Sequence, residues 1–294
     1  MKHVLVTGGN GFIGRWVVRR LVADGYEVAV LDTRNREPEA GASLVLGDIR
    51  DATAVTEAVA HADGVIHLAG VLGTAETVAN PRPAAETNIL GGLNVLEAIA
   101  QYRLPAVNIA VGNYWMNNTY SITKNAVERF ADMMNRYRGT RISVVRALNA
   151  YGPGQSAAAP FGPSKVRKIM PSFICRALSG LPIEVYGDGE QIMDMVWVGD
   201  VADVLVAALE HTEAHGPITC DAGTGRPTTV NEIAGIVADA AGGYVEHLPM
   251  RPGEDERSVV LGDPATLEPL GITDLRVLED GVADTVAYFR GYLG

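Results

Sequence analysis

Lys2-His3-Val4-Leu5-Val6-Thr7-Gly8-Gly9-Asn10-Gly11-Phe12-Ile13-Gly14 is the stretch from which the rest of the chain is read. An apolar, β-branched run of strand length meets a glycine cluster, and a helical pattern carried by Trp16, Val17, Leu21 and Val22 follows at once. Strand, tight turn and helix come in that order. Gly8, Gly11 and Gly14 stand where the backbone turns sharply and approaches a phosphate with no Cβ in the way. The free N–H groups and positive dipole end of the new helix then face an anion. The next strand-like run, Glu27-Val28-Ala29-Val30-Leu31-Asp32, ends in a carboxylate 18 positions after Gly14. A carboxylate there accepts hydrogen bonds from both adenosine ribose hydroxyls and repels a 2′-phosphate, which points to NAD rather than NADP. Arg34 and Arg36 pull the other way, since either is placed to meet a phosphate.

Outward from this turn, strand-like runs at 3–7, 27–32, 43–47, 64–68, 105–111 and 142–147 alternate with helical patterns near 12–24, 51–60, 84–102 and 120–138. The strands are apolar almost throughout, as parallel strands are when helices cover both faces. The predicted class is therefore α/β, a doubly wound parallel sheet (Rossmann-type) with a smaller C-terminal substrate-binding lobe. The sheet domain is expected over 1–155 plus about 191–212, and the lobe over 156–190 and 213–294, with the ligand in the cleft between them.

With 294 residues and 47% apolar, the chain can bury a sizeable core. No apolar run is long enough to cross a membrane. The apolar start is broken by glycine and reads as a core strand rather than a signal peptide. A net charge of −11 argues against a nucleic-acid surface, and any anionic ligand must be held by local donors. Cys175 and Cys220 lack metal-ligand spacing, suit a reducing cytoplasm and read as small buried hydrophobes. No metal site is expected.

Tyr120-Ser121-Ile122-Thr123-Lys124 opens a strongly helical segment, and the spacing of four puts phenol and ammonium on one face. A free tyrosine, with a pKa of about 10, is a poor base at neutral pH. A neighbouring lysine cation and the positive nicotinamide are expected to lower it, giving a general acid/base near physiological pH.

Taken together these motifs resemble the extended short-chain dehydrogenase/reductase family, in its NAD-dependent nucleotide-sugar epimerase/dehydratase group. Thr7 to Gly14 resembles that family's cofactor fingerprint, including Phe12 and Ile13. Gly47-Asp48-Ile49-Arg50-Asp51 resembles its adenine turn, where Asp48 meets the adenine amine and Ile49 packs on the ring. His67-Leu68-Ala69-Gly70 resembles the segment lining the adenosine ribose, with His67 shaping the pocket. Asn88 matches a structural asparagine and is assigned to the cofactor side. The resemblance implies a sugar-diphosphate contact at Asn149 and nucleotide contacts at Tyr186, in Val185-Tyr186-Gly187-Asp188-Gly189-Glu190-Gln191. Arg251-Pro252-Gly253-Glu254 adds a diphosphate contact at Arg251 and a ribose contact at Glu254. Lys165, Arg167 and Lys168 read equally as a solvated helix start or as anion contacts, Lys165 being counted with the substrate residues.

Two departures stand out. The strand end Val107-Asn108-Ile109-Ala110-Val111-Gly112-Asn113 lacks the family's Ser/Thr hydroxyl, whose place falls near Gly112; Thr119 or Asn113 is expected to supply that hydrogen bond. An arginine commonly follows Gln191 by two, and here Met193 stands there. The family's sugar 4,6-dehydratases carry an Asp-Glu pair beside that strand-end hydroxyl, and its lack here means that the resemblance disfavours dehydration. The resemblance thus implies a UDP-sugar 4-epimerase type of activity with Tyr120, Lys124 and Thr119 as catalytic residues. One-way nucleotide-sugar oxidoreduction and a catalytically impaired NAD-binding homologue are the alternatives. A homodimer is expected through helices 84–102 and 120–138, by Leu93, Leu96, Ile99, Val127, Phe130 and Met134.

Overall fold

The computed structural model describes residues 1–162, 166–251, 255 and 257–293. Its first half is β1 (His3–Thr7), α1 (Phe12–Ala23), β2 (Glu27–Asp32), β3 (Ala42–Leu46), α2 (Ala52–Val59) and β4 (Gly64–His67). A short α3 (Arg82–Ala84) runs through a π-turn (Ala85–Gly91) into α4 (Gly92–Tyr102), followed by β5 (Pro105–Val111), α5 (Thr119–Arg138) and β6 (Arg141–Ala147). The second half carries β7 (Asn149–Tyr151), α6 (Ile169–Leu178), β8 (Ile183–Tyr186), β9 (Ile192–Met193), β10 (Met195–Trp197), α7 (Val198–His215) and β11 (Thr219–Ala222). It ends with β12 (Thr228–Thr229), α8 (Val230–Ala241), β13 (Val245–Leu248), β14 (Val259–Val260), a 3-10 turn (Pro264–Leu270) and α9 (Leu278–Leu293).

Seven parallel strands form the main sheet in the order β11-β6-β5-β4-β1-β2-β3. Side chains alternate across a strand, so Val4, Val6, Val107 and Ile109 pack with α1 and α7 on one face. Leu5, Val65, Ala106 and Ala110 pack with α2, α4 and α5 on the other. Covering both faces requires strands apolar along their whole length, which is the pattern that marked them in the sequence.

A third cluster centres on α6, α8 and α9 with Tyr151 and Trp197, and forms the core of the smaller lobe. The expected boundary is crossed in both directions: Tyr151 and Trp197, expected in the sheet domain, belong to this lobe core. Thr219–Ala222, placed in the lobe by the sequence reading, pairs with β6 at the edge of the main sheet. Leu267, Leu270, Ile272 and Leu275 also pack on the sheet-side core. β11 extends the sheet beyond β6 and becomes its edge, and the segment after β14 covers that side with apolar side chains. The helix expected over 84–102 is interrupted by the π-turn at Ala85–Gly91, which carries Asn88 into the interior.

Candidate active site

One cleft of about 1480 Å³ runs from the glycine turn, past α5, to β8 and β9. It opens at the carboxyl ends of the parallel strands, where ligands of doubly wound sheets sit.

At the cofactor end, Gly8 has a φ of +73°, and a Cβ there would meet Ala69 N at 2.8 Å. A Cβ on Gly14 would overlap Gly8 O. Gly11 precedes α1 with no side-chain cap, leaving the first N–H groups of the helix facing the cleft. The turn is thus a cradle that side chains would fill. Asp32 is buried at the cleft wall and accepts from Asn10 N at 3.1 Å and Arg34 N at 2.9 Å. Arg34 Nη1 donates to Asn10 O at 3.1 Å, which ties this arginine to the turn itself.

Asp48 is held below the usual carboxylate range by the Arg50 guanidinium, whose Nη2 lies 2.6 Å away. Ile49 is packed under Gly91, where a Cβ would stand 2.8 Å from Ile49 Cγ1. Thr7 Oγ1 accepts from Leu68 N and Ala69 N at 3.2 and 3.3 Å and lies 2.7 Å from His67 Nδ1, which fixes the segment after β4. Burial and the nearby Lys124 push His67 down to about 3, so it is neutral and shapes the wall.

Gly8, Gly11, Phe12, Ile13, Gly14, Asp32, Asp48, Ile49, Leu68, Ala69 and Gly70 all line the cleft. Asn88 does not. Its side chain accepts from Val71 N at 2.7 Å and donates to Val71 O at 3.1 Å and to Thr123 Oγ1 at 2.9 Å, joining the loop after β4 to α5.

Asn118 caps α5 by accepting from Ser121 N, and Tyr120 and Lys124 face the cleft one turn apart. Two expectations are corrected here. The Thr119 hydroxyl is donated to Thr77 O at 3.1 Å, and Thr119 does not line the cleft. Tyr120 is not acidified within the protein alone: burial pushes its phenol up to about 12. Burial also pushes Lys124 down to about 8, against the pull of Glu128 one turn on. Desolvation is the largest cause for both groups, and it disfavours the charged form of each.

At Gly112 a Cβ would overlap Leu148 Cδ1, so the place of a β5 side chain is already filled by β6's neighbour. Asn113 does line the cleft, its amide donating to the weak acceptor Met116 Sδ at 3.3 Å.

On the substrate side, Asn149, Tyr186, Arg251, Arg167, Lys168 and Met193 share the cleft wall. Asn149 Nδ2 donates to Asp194 O at 3.2 Å. Lys165 and Glu254 lie outside the described residues. Sequence reasoning missed Asp194, a fully buried carboxylate that accepts from Thr224 N and Oγ1, Gly225 N and Gly262 N and so ties β9 to the ends of β11 and β14. It also missed Glu184, paired to Arg167 and Arg176, and Glu76, which accepts from Arg167 N at 3.1 Å. No local pattern marks these residues, because their partners lie on other elements, 30 to 91 residues away for Asp194 and Glu76. Among the described residues no group of three His, Cys, Asp or Glu side chains is placed to hold a metal ion.

A parallel sheet whose glycine turn, acidic second strand and open helix start share one cleft defines a dinucleotide-binding α/β protein. Known proteins narrow this further. Residues 4–220 match the NAD dependent epimerase/dehydratase family, and the chain belongs to it. It is 30% identical to a putative UDP-glucose 4-epimerase of Methanocaldococcus jannaschii over 98% of both chains. Its fold is similar to that of the Thermus thermophilus UDP-glucose 4-epimerase in complex with NAD, at 33% identity and a TM-score of 0.85 over 98% of this chain and 99% of that one. It is also similar to the Thermotoga maritima UDP-glucose 4-epimerase with UDP-glucose, at 30% identity and a TM-score of 0.87 over 99% and 100% of the two chains. The family is NAD-dependent, and the side-chain-free cradle with Asp32 beyond it fits that cofactor.

Proposed function

We propose that this protein is a UDP-sugar 4-epimerase that acts through transient oxidation at the sugar 4-hydroxyl. The observation that carries this reading is that Tyr120 and Lys124, one helical turn apart on α5, line the same cleft as the glycine cradle and Asn149, Tyr186 and Arg251. NAD, when bound, supplies the acceptor and donor of hydride. The chain's own residues handle protons and position. Tyr120 Oη takes the proton of the 4-hydroxyl and later returns it. The positive charge on Lys124, which is protonated at neutral pH, works with the positive nicotinamide of bound NAD to favour the phenolate against the burial that raises it. Asn113 stands in for the missing β5 hydroxyl toward the reacting oxygen, and Thr119 anchors the start of α5 through Thr77. Gly8 to Gly14 hold the dinucleotide phosphates, Asp32 the ribose, and Asp48, Ile49, Leu68, Ala69 and Gly70 the adenosine end.

The protein is expected to act in the cytoplasm, a reading supported by two buried free thiols, Cys175 and Cys220. No helix among the described residues is long and apolar enough to cross a membrane. Homodimerisation by α4 and α5 is part of the proposal, with Leu93 and Phe130, both half-buried, as the expected positions still open to a partner. Leu96, Ile99, Val127 and Met134 are buried against the sheet, whereas Ile122, Met133 and Tyr137 on α5 are exposed.

The test is incubation with UDP-glucose and UDP-galactose, then with their N-acetyl and uronic acid forms, comparing the protein with Tyr120→Phe. Interconversion that Tyr120→Phe abolishes while NAD stays bound is the expected result. No interconversion of any pair would overturn the reading. A stoichiometric rise or fall in reduced nicotinamide absorbance would instead favour one-way oxidoreduction, to which Arg34 and Arg36 on the cleft wall lend support.

A further inference from the structure

Glu184 on β8 is shared by two guanidiniums. Arg176 Nη2 lies 2.9 Å from one carboxylate oxygen, and Arg167 Nη2 closes on the other. Arg176 is held in place by a further bond from Nε to Pro182 O at 2.6 Å, and alone it neutralises Glu184. Arg167 is the surplus cation. It lines the cleft, its side chain is 32% exposed, and its Nη1 donates to Tyr186 Oη at 2.6 Å. The guanidinium carbons of Arg167 and Arg251 each stand 4.9 Å from the centre of the Tyr186 ring, so one aromatic side chain gathers both. Among the described residues, Arg167, Lys168, Arg176 and Arg251 outnumber Glu76, Glu184 and Asp255 in this corner of a protein whose total charge is −11. Met193 lines the same cleft with an uncharged thioether.

We propose that Arg167 is the diphosphate-gripping residue of this chain, supplying the cation that Met193 cannot. On binding, its guanidinium leaves Glu184 for the phosphate oxygens, and Arg176 keeps the abandoned carboxylate neutral. A planar fork suits this exchange because it meets two oxygens at once in either setting. The inference rests on the nucleotide-sugar reading and names the residue that recognises the diphosphate.

The experiment is calorimetric titration of the NAD-loaded protein, Arg167→Met and the double variant Arg167→Met/Met193→Arg. The probes are UDP, dTDP, CDP, ADP and GDP, with the nucleoside of whichever base binds as control. Arg167→Met is expected to weaken the diphosphate about 10- to 100-fold while leaving the bare nucleoside and the melting temperature unchanged, and Met193→Arg to recover part of the loss. Should Arg167→Met fold poorly, Arg167→Gln carries the same comparison. Equal losses for diphosphate and nucleoside, or no loss in a folded variant, would overturn the assignment. If the unaltered protein binds none of the five diphosphates, the nucleotide-sugar reading itself falls.

Discussion

Replacing Lys124 by methionine should make the protein more stable while removing its activity. Lys124 is 5% exposed, and burial lowers its ammonium from an ordinary 10.5 to about 8. Each unit of such a shift corresponds to about 1.4 kcal/mol of interaction lost by the charged form, so the charge destabilises the fold by roughly 3 kcal/mol at neutral pH. The pH dependence follows from the direction of the shift. Below pH 8 the lysine is charged in both folded and unfolded chains, and the full penalty is present. Between about pH 8 and 10.5 the folded protein releases its proton first, so stability rises with pH, and above 10.5 the penalty is gone. Methionine has similar length and no charge to desolvate. Thermal unfolding of NAD-stripped protein should therefore show Lys124→Met melting about 5–10 °C above the parent at pH 7, with the gap closing toward pH 10. Equal or lower stability at pH 7, or a gap independent of pH, would refute the argument that desolvation dominates this site.

Three other substitutions test the remaining parts. Gly112→Ser should lose about 1–3 kcal/mol of stability and most turnover by colliding with Leu148, and adding Leu148→Ala should restore folding; denaturant titration and turnover decide it. Asp32→Ala should weaken NAD about 10-fold or more and narrow the preference over NADP, read by fluorescence titration of both. Asp194→Ala strands four donors, each at a cost of about 1–3 kcal/mol, so it should unfold early in urea and lose the cleft's substrate side first, as seen by hydrogen exchange at Gly225 and Gly262.

The strands and helices of the first half were legible because their signals are local: apolar runs of strand length, a glycine turn and a helical repeat. Tyr120 and Lys124 were legible for the same reason, since four residues on a helix fix a shared face. Thr119 was misplaced because helix periodicity does not say that Thr77, in a distant loop, takes its hydroxyl. Four of the six expected dimer positions, Leu96, Ile99, Val127 and Met134, are packed on the sheet instead, because an amphipathic pattern does not tell a face packed on a sheet from one offered to a partner. Asn88, expected on the cofactor side, spends its amide on Val71 and Thr123 instead.

What was written in the order of residues is the cradle, the acid beyond it and the Tyr–Lys turn, for each is a matter of neighbours within one or two elements. What the folded chain alone settles is the charge and shape those residues meet. Leu148 fills the space beside Gly112, burial shifts Tyr120 and Lys124 in opposite directions, and Glu184 draws Arg167 and Arg176 to one carboxylate. These effects depend on desolvation and on contacts between different elements, and both exist only once the chain has packed each element against its neighbours.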